Sequence, residues 1–121
     1  MTQLEFIEQI IKEKEAVILD ANDKIWSYAE LPYEETRSSA LLCSILESEG
    51  FTVETGVAEI PTAFVARYVV GTGKPVMGIL GEFDALATLS QKAGCTVKDP
   101  VQNGGSGHGC GHCCLGTGAL A

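Results

Sequence analysis

Val76-Met-Gly-Ile-Leu-Gly-Glu-Phe-Asp-Ala-Leu86 is the stretch on which the fold turns. Residues 76–80 form an unbroken apolar run, the pattern of a strand buried on both faces in a sheet covered by helices. A half-exposed strand would alternate instead. The strand is expected over 75–82, and it ends in two carboxylates, Glu82 and Asp84. In open α/β sheets ligand sites form outside the carboxyl ends of strands. These acids are therefore candidate site residues, although a pair of solvated loop acids reads the same way.

Upstream, Thr2 and Glu5 stand at capping-box spacing, and Leu4, Ile7, Ile10, Ile11, Val17 and Ile18 recur on one side of a helical period. A first helix is expected from about residue 3 to 20 or beyond, with its charged side chains on a solvated face. Residues 22–29 either continue it or form a short second helix, and Pro32 breaks the run. Ala40, Leu41, Ile45 and Leu46 mark another helix within 33–49, with Gly50 where a left-handed terminator belongs. The period then changes to two at residues 51–54, and 62–70 reads as a clearer strand. Gly71-Thr-Gly-Lys-Pro75 supplies a turn. The fold class expected is α/β: N-terminal helices packed on a mixed, incomplete sheet with 75–82 as a central strand.

Downstream, residues 87–103 form a long polar connection, of the kind that is often functional or disordered. It leads to Asn103-Gly-Gly-Ser-Gly-His-Gly-Cys-Gly-His-Cys-Cys-Leu-Gly-Thr-Gly118, which holds both histidines and three of the five cysteines. From Cys113 the pattern becomes a helix expected to pack closely through Gly116, Gly118 and Ala119. Three chemistries fit this stretch. Cys110-Gly-His-Cys113 is a C-x-x-C redox spacing, but a thioredoxin-like site needs further strands and helices after it and only eight residues follow. Buried thiols in a glycine turn are the second reading. In the third, Cys110 and His112 are metal ligands, thiolate and imidazole both suiting Zn²⁺, with Glu82 and Asp84 the acids able to complete the set. A zinc ribbon lacks its second C-x-x-C pair, and the glycines do not match a phosphate loop.

Composition narrows the partners. With 45% hydrophobic and 20% charged residues the chain has the composition of a globular domain. A net charge of −8 excludes the basic surface that phosphate backbones and anionic membranes require. No nucleic-acid or membrane partner is expected. The N-terminus lacks the basic start and apolar core of a secretory signal, and no apolar run nears the ~20 residues of a membrane span. Cys43, Cys95, Cys110, Cys113 and Cys114 read as reduced thiols in a cytoplasmic protein.

Gly78-Ile-Leu-Gly-Glu-Phe-Asp-Ala-Leu86, Ser90-Gln91, Gly107-His-Gly-Cys-Gly-His112 and Leu115-Gly-Thr-Gly-Ala119, taken in order, resemble the amidohydrolase branch of the aminoacylase and carboxypeptidase-like metallopeptidases, peptidase family M-twenty. Within it the similarity is greatest to the group that resembles the B subunit of aminobenzoyl-glutamate hydrolase. Gly56-Val-Ala, Pro61-Thr-Ala-Phe64 and Arg37-Ser-Ser extend the likeness upstream to about residue 30. The resemblance implies a three-layer α/β/α catalytic domain of which residues 1–121 are the N-terminal portion, a second domain lying elsewhere. It implies two divalent ions, zinc or manganese, per complete site, and a homo- or hetero-oligomer. It further implies hydrolysis of an amide bond in an N-acyl amino acid, a dipeptide or an aminobenzoyl-glutamate-type substrate. By the same resemblance Cys110 and His112 are metal ligands and Asp84 supports them from outside the ligand set. Glu82 stands where other branches carry a metal-binding histidine, and His108 lies near the metal without binding it.

Two departures from the resembled motif matter. Cys113-Cys114 replaces an Asn or Asp followed by an apolar residue, and Leu86-Ala87 replaces Leu-Pro. The resemblance also implies a catalytic glutamate pair and further histidine ligands that these residues do not contain, so the 121-residue chain is expected to be an inactive fragment by itself. The alternative from another class is a non-catalytic metal- or thiol-binding module.

Overall fold

The computed structural model describes residues 1–72 and 74–121. Helix α1 (Gln3–Tyr28) runs unbroken for 26 residues, about 39 Å at 1.5 Å per residue. Its start is a complete capping box: the Glu5 N–H donates to Thr2 Oγ1 at 3.2 Å and the Thr2 N–H donates to Glu5 Oε2 at 2.7 Å. Residues 22–28 therefore continue the first helix. Ala29, left-handed at φ 45°, ends it.

Helix α2 (Thr36–Ser48) is stopped by a Schellman motif. The Phe51 N–H reaches Leu46 O and the Gly50 N–H reaches Glu47 O, both at 3.0 Å, with Gly50 at φ +91°. Strand β1 (Thr52–Thr55) then pairs antiparallel with β2 (Phe64–Arg67), Thr52 opposite Arg67 and Thr55 opposite Phe64. The strand expected over 62–70 is thus confined to its centre. Helix α3 (His112–Leu120) closes the described chain. Ile25, Leu42 and Cys113 form the core, with Trp26, Leu41, Phe64, Phe83 and Leu120 packed around them. That core gathers one residue from each helix, so α1, α2 and α3 meet at the C-terminal half of α1.

The chain is mixed α/β, but its sheet is a two-stranded antiparallel ribbon and the buried central strand expected at 75–82 is not formed. Val76 and Leu80 are 91% and 89% exposed. The reason is physical: a strand exists by pairing, and no described segment lies beside residues 75–82 to accept its hydrogen bonds. An apolar run reports a preference for burial and says nothing about whether its neighbours are present. The turn expected at 71–75 includes Gly73, which lies outside the described residues.

The connection 87–103 is ordered by its own side chains, as in compact surface loops. Gln91 Nε2 donates to Val97 O at 2.7 Å while its Oε1 accepts the Asp99 N–H at 3.0 Å, and Lys92 pairs with Asp99 at 2.8 Å. Among the described residues no helix is long and apolar enough to cross a membrane.

Candidate metal centre

Backbone carbonyls around the C-terminus of α1 hold the site together, and both motif segments donate to them. The Ala85 N–H donates to Glu30 O at 2.7 Å, Ser106 Oγ donates to Ala29 O, and the His108 ring, through Nε2, donates to Ile25 O at 3.0 Å. A single antiparallel bridge then ties the segments directly: Leu86 N–H to Gly107 O at 3.0 Å and Gly107 N–H to Leu86 O at 2.9 Å. Gly107 is required there, because a Cβ would run into the Leu89 carbonyl, 2.6 Å from its carbon.

Helix α3 is drawn against residues 81–83 by small residues. A Cβ on Gly116 would meet Glu82 O and Phe83 Cβ at 3.0 Å, and one on Gly81 would meet Ala119 Cβ at 2.8 Å. Close packing through Gly116 and Ala119 is as the sequence suggests, whereas Gly118 faces open space. This approach sets His112, the first residue of α3, against both acids. Nδ1 is 2.8 Å from Asp84 Oδ1, and Nε2 is 3.2 Å from Glu82 Oε2. Glu82, Asp84 and His112 each offer a ligand atom within 4.8 Å of the others.

An ionised Asp84 can only accept, so it holds the proton of His112 on Nδ1 and fixes the ring. When the ring is neutral, Nε2 faces the second carboxylate with its lone pair, and a cation between them would satisfy both. The 3.2 Å separation is within the span of two ligand atoms that each lie about 2.1 Å from one ion. The donor set suits a divalent cation and supplies only part of its coordination. Cys110 lies outside this group and is exposed, two residues before His112 across left-handed Gly111.

His108 is a pin. Its Nδ1 is buried with no partner, and burial pushes its pKa below the ordinary value, the Ile25 carbonyl opposing and His112 adding to the shift. It stays neutral near pH 7. Cys113 is 3% exposed in the core, and burial followed by the charge of Cys114 pushes its thiol up to about 11. All five cysteines are free.

Sequence reasoning missed Glu30. Its side chain, 9% exposed, accepts from the backbone N–H groups of Arg37 at 3.0 Å and Ser38 at 2.9 Å, from Ser38 Oγ at 2.8 Å and from Arg37 Nε at 3.1 Å. It caps α2 from outside the helix and anchors the loop whose carbonyl holds Ala85. Burial opposes its ionisation, but these hydrogen bonds together outweigh that and hold the pKa below the ordinary value. The only signal was local, a carboxylate just ahead of Thr36-Arg-Ser-Ser39.

A mixed α/β chain with an acid–histidine–acid cluster at the meeting of two loops defines a candidate divalent-metal protein. The chain is 49% identical over 116 residues to the B subunit of p-aminobenzoyl-glutamate hydrolase from Escherichia coli, a match that covers 96% of this chain and 24% of that protein. It is 30% identical over 112 residues to thermostable carboxypeptidase 1 of Saccharolobus solfataricus, covering 93% of this chain and 28% of that protein, and thermostable carboxypeptidase 2 matches at the same level. No protein-family model matches. The similarity read from the two motifs is borne out over nearly the whole chain, which spans about a quarter of the length of these curated relatives.

Proposed function

We propose that the chain is part of the catalytic domain of a metal-dependent amidohydrolase and carries one side of its metal centre. The observation that supports this most is His112 held between Asp84 and Glu82 in a chain whose relatives are named as hydrolases. In this reading His112 Nε2 and Cys110 are metal ligands, Asp84 orients the imidazole, and Glu82 is the carboxylate that shares the cation's charge. Such an outer carboxylate raises ligand basicity and fixes the tautomer. A complete site takes two ions, zinc or manganese, in a three-layer domain. When bound, a divalent cation polarises a carbonyl and makes water a nucleophile near neutral pH.

The substrate class is an amide: an N-acyl amino acid, a dipeptide or an aminobenzoyl-glutamate-type compound, the last after the name of the bacterial relative. That relative is named as one subunit of a hydrolase, which favours an oligomeric assembly. The setting is cytoplasmic, where the five thiols stay reduced. Asp84 is committed to His112, and Glu82 is the remaining carboxylate of the cluster among the described residues. General-base catalysis needs a carboxylate positioned on the attacking water as well as those that hold the ion, so residues 1–121 alone give no turnover.

The test is a chimera in which this chain replaces the matching 116 residues of the Escherichia coli relative. Metal-dependent amide hydrolysis is expected from the chimera, with activity lost in His112→Ala and falling roughly 10–100-fold in Asp84→Asn. Turnover by the 121-residue chain alone, or full activity in His112→Ala, would overturn the proposal.

A further inference from the structure

We propose that residues 76–80 are an interaction edge through which the 121-residue chain pairs with a second copy of itself, strand against antiparallel strand. The inference is independent of the hydrolase reading. Val76, Met77, Ile79 and Leu80 are 91%, 84%, 79% and 89% exposed, so a strand formed here has apolar side chains on both faces. Among the described residues no hydrogen bond engages the backbone of 76–80. Gly78, at the middle of the run, has no left-handed φ and has open space where a Cβ would stand, so another backbone can approach. An apolar segment with free backbone groups is a template for a further strand.

The flanking charges fit a second copy of the same segment. Each chain carries a net charge of −8, which opposes most contacts between copies. An antiparallel pair centred on Gly78 sets Val76 opposite Leu80 and Met77 opposite Ile79, and it sets Lys74 opposite Glu82 twice by symmetry. Opposite charges directly across a ladder stabilise it, and like charges do the reverse. A parallel in-register pair would place Lys74 on Lys74 and Glu82 on Glu82. A shift of two residues either way would set Lys74 or Glu82 against an apolar side chain. The Glu82 side chain is 63% exposed even with Oε2 at His112, so it is open to the partner's lysine. A five-residue ladder is smaller than the roughly 800 Å² per partner of a standard interface, so the dimer is weak and concentration-dependent.

The test is sedimentation equilibrium of the 121-residue chain from about 10 to about 500 μM. A monomer–dimer equilibrium is expected, and Ile79→Lys should weaken it at least about tenfold. Lys74→Glu should weaken it as well, and Lys74→Glu/Glu82→Lys should restore it. On the unaltered chain, where folding of a variant is not in question, hydrogen exchange should show amides of 76–80 becoming protected as the dimer fills. A monomer at the highest concentration, a dimer indifferent to Ile79→Lys, or no rescue by the charge swap would overturn the proposal. Protection independent of concentration would also overturn it, because the segment would then pair within its own chain.

Discussion

Gly107→Ala places a methyl group against backbone, where nothing can rotate away. The new Cβ would sit 2.6 Å from the Leu89 carbonyl carbon and 2.9 Å from Ser90 N. Ordinary contact between carbons begins near about 3.5 Å, so one of the two segments must retreat by roughly 1 Å. Three hydrogen bonds span that gap: the reciprocal pair between Leu86 and Gly107 at 3.0 and 2.9 Å, and Ser90 N–H to Gly105 O at 2.9 Å. At about 1 kcal/mol net each, their loss costs about 2–3 kcal/mol. With a urea slope of roughly 1–2 kcal/mol per molar for a chain of this size, the midpoint should fall by about 1–2 M. Gly118→Ala is the matched control. It meets no atom within 4 Å and lies inside α3, so helix propensity alone should stabilise it by up to about 1 kcal/mol. Equilibrium urea unfolding of both variants measures the difference. A Gly107→Ala midpoint within about 0.3 M of the parent would refute the claim that this bridge clamps the two motifs together.

Glu30→Gln removes the charged acceptor at the start of α2 and should cost about 2 kcal/mol. Because the folded pKa of Glu30 lies below 4.5, its contribution is present above that pH and is lost on acidification, so thermal melts of the variant should show a weaker acid limb below about pH 4.5. The folded pKa of His108 is also lowered, here from 6.5, so neutral imidazole favours the fold above that value. Stability should drop as pH falls from about 7 through about 6 in the parent, and His108→Gln should flatten that segment of the profile. At about pH 7.5 iodoacetamide should label Cys95, Cys110 and Cys114 readily and Cys113 slowest of the four, since Cys113 is buried with its thiol at about 11; peptide mapping over time reads the order.

What the residues disclosed was whatever local chemistry decides. The Thr2–Glu5 capping box, the Gly50 terminator and the close packing of α3 through Gly116 follow from side-chain size and backbone freedom within a few residues. The proximity of Glu82 and Asp84 to His112 was legible as two motifs in order along the chain. Residues 75–82 were misread because their apolarity states a need for burial without showing a pairing partner. The anchoring roles of Ser106 and His108 escaped for a related reason: each acts by a hydrogen bond to a carbonyl far away in sequence, Ala29 O and Ile25 O, a pairing that only the folded chain creates.

The most direct test of the metal centre is Mn²⁺ binding, because this hard ion prefers oxygen and nitrogen donors and is a poor match for Cys113 and Cys114. Electron paramagnetic resonance of free Mn²⁺, titrated with the 121-residue chain, should show a bound ion whose affinity falls roughly 10–100-fold in Asp84→Asn, is lost in His112→Ala, and is unchanged in Cys113→Ser/Cys114→Ser. Undiminished Mn²⁺ affinity in His112→Ala would contradict the assignment of the centre to His112 and its two carboxylates.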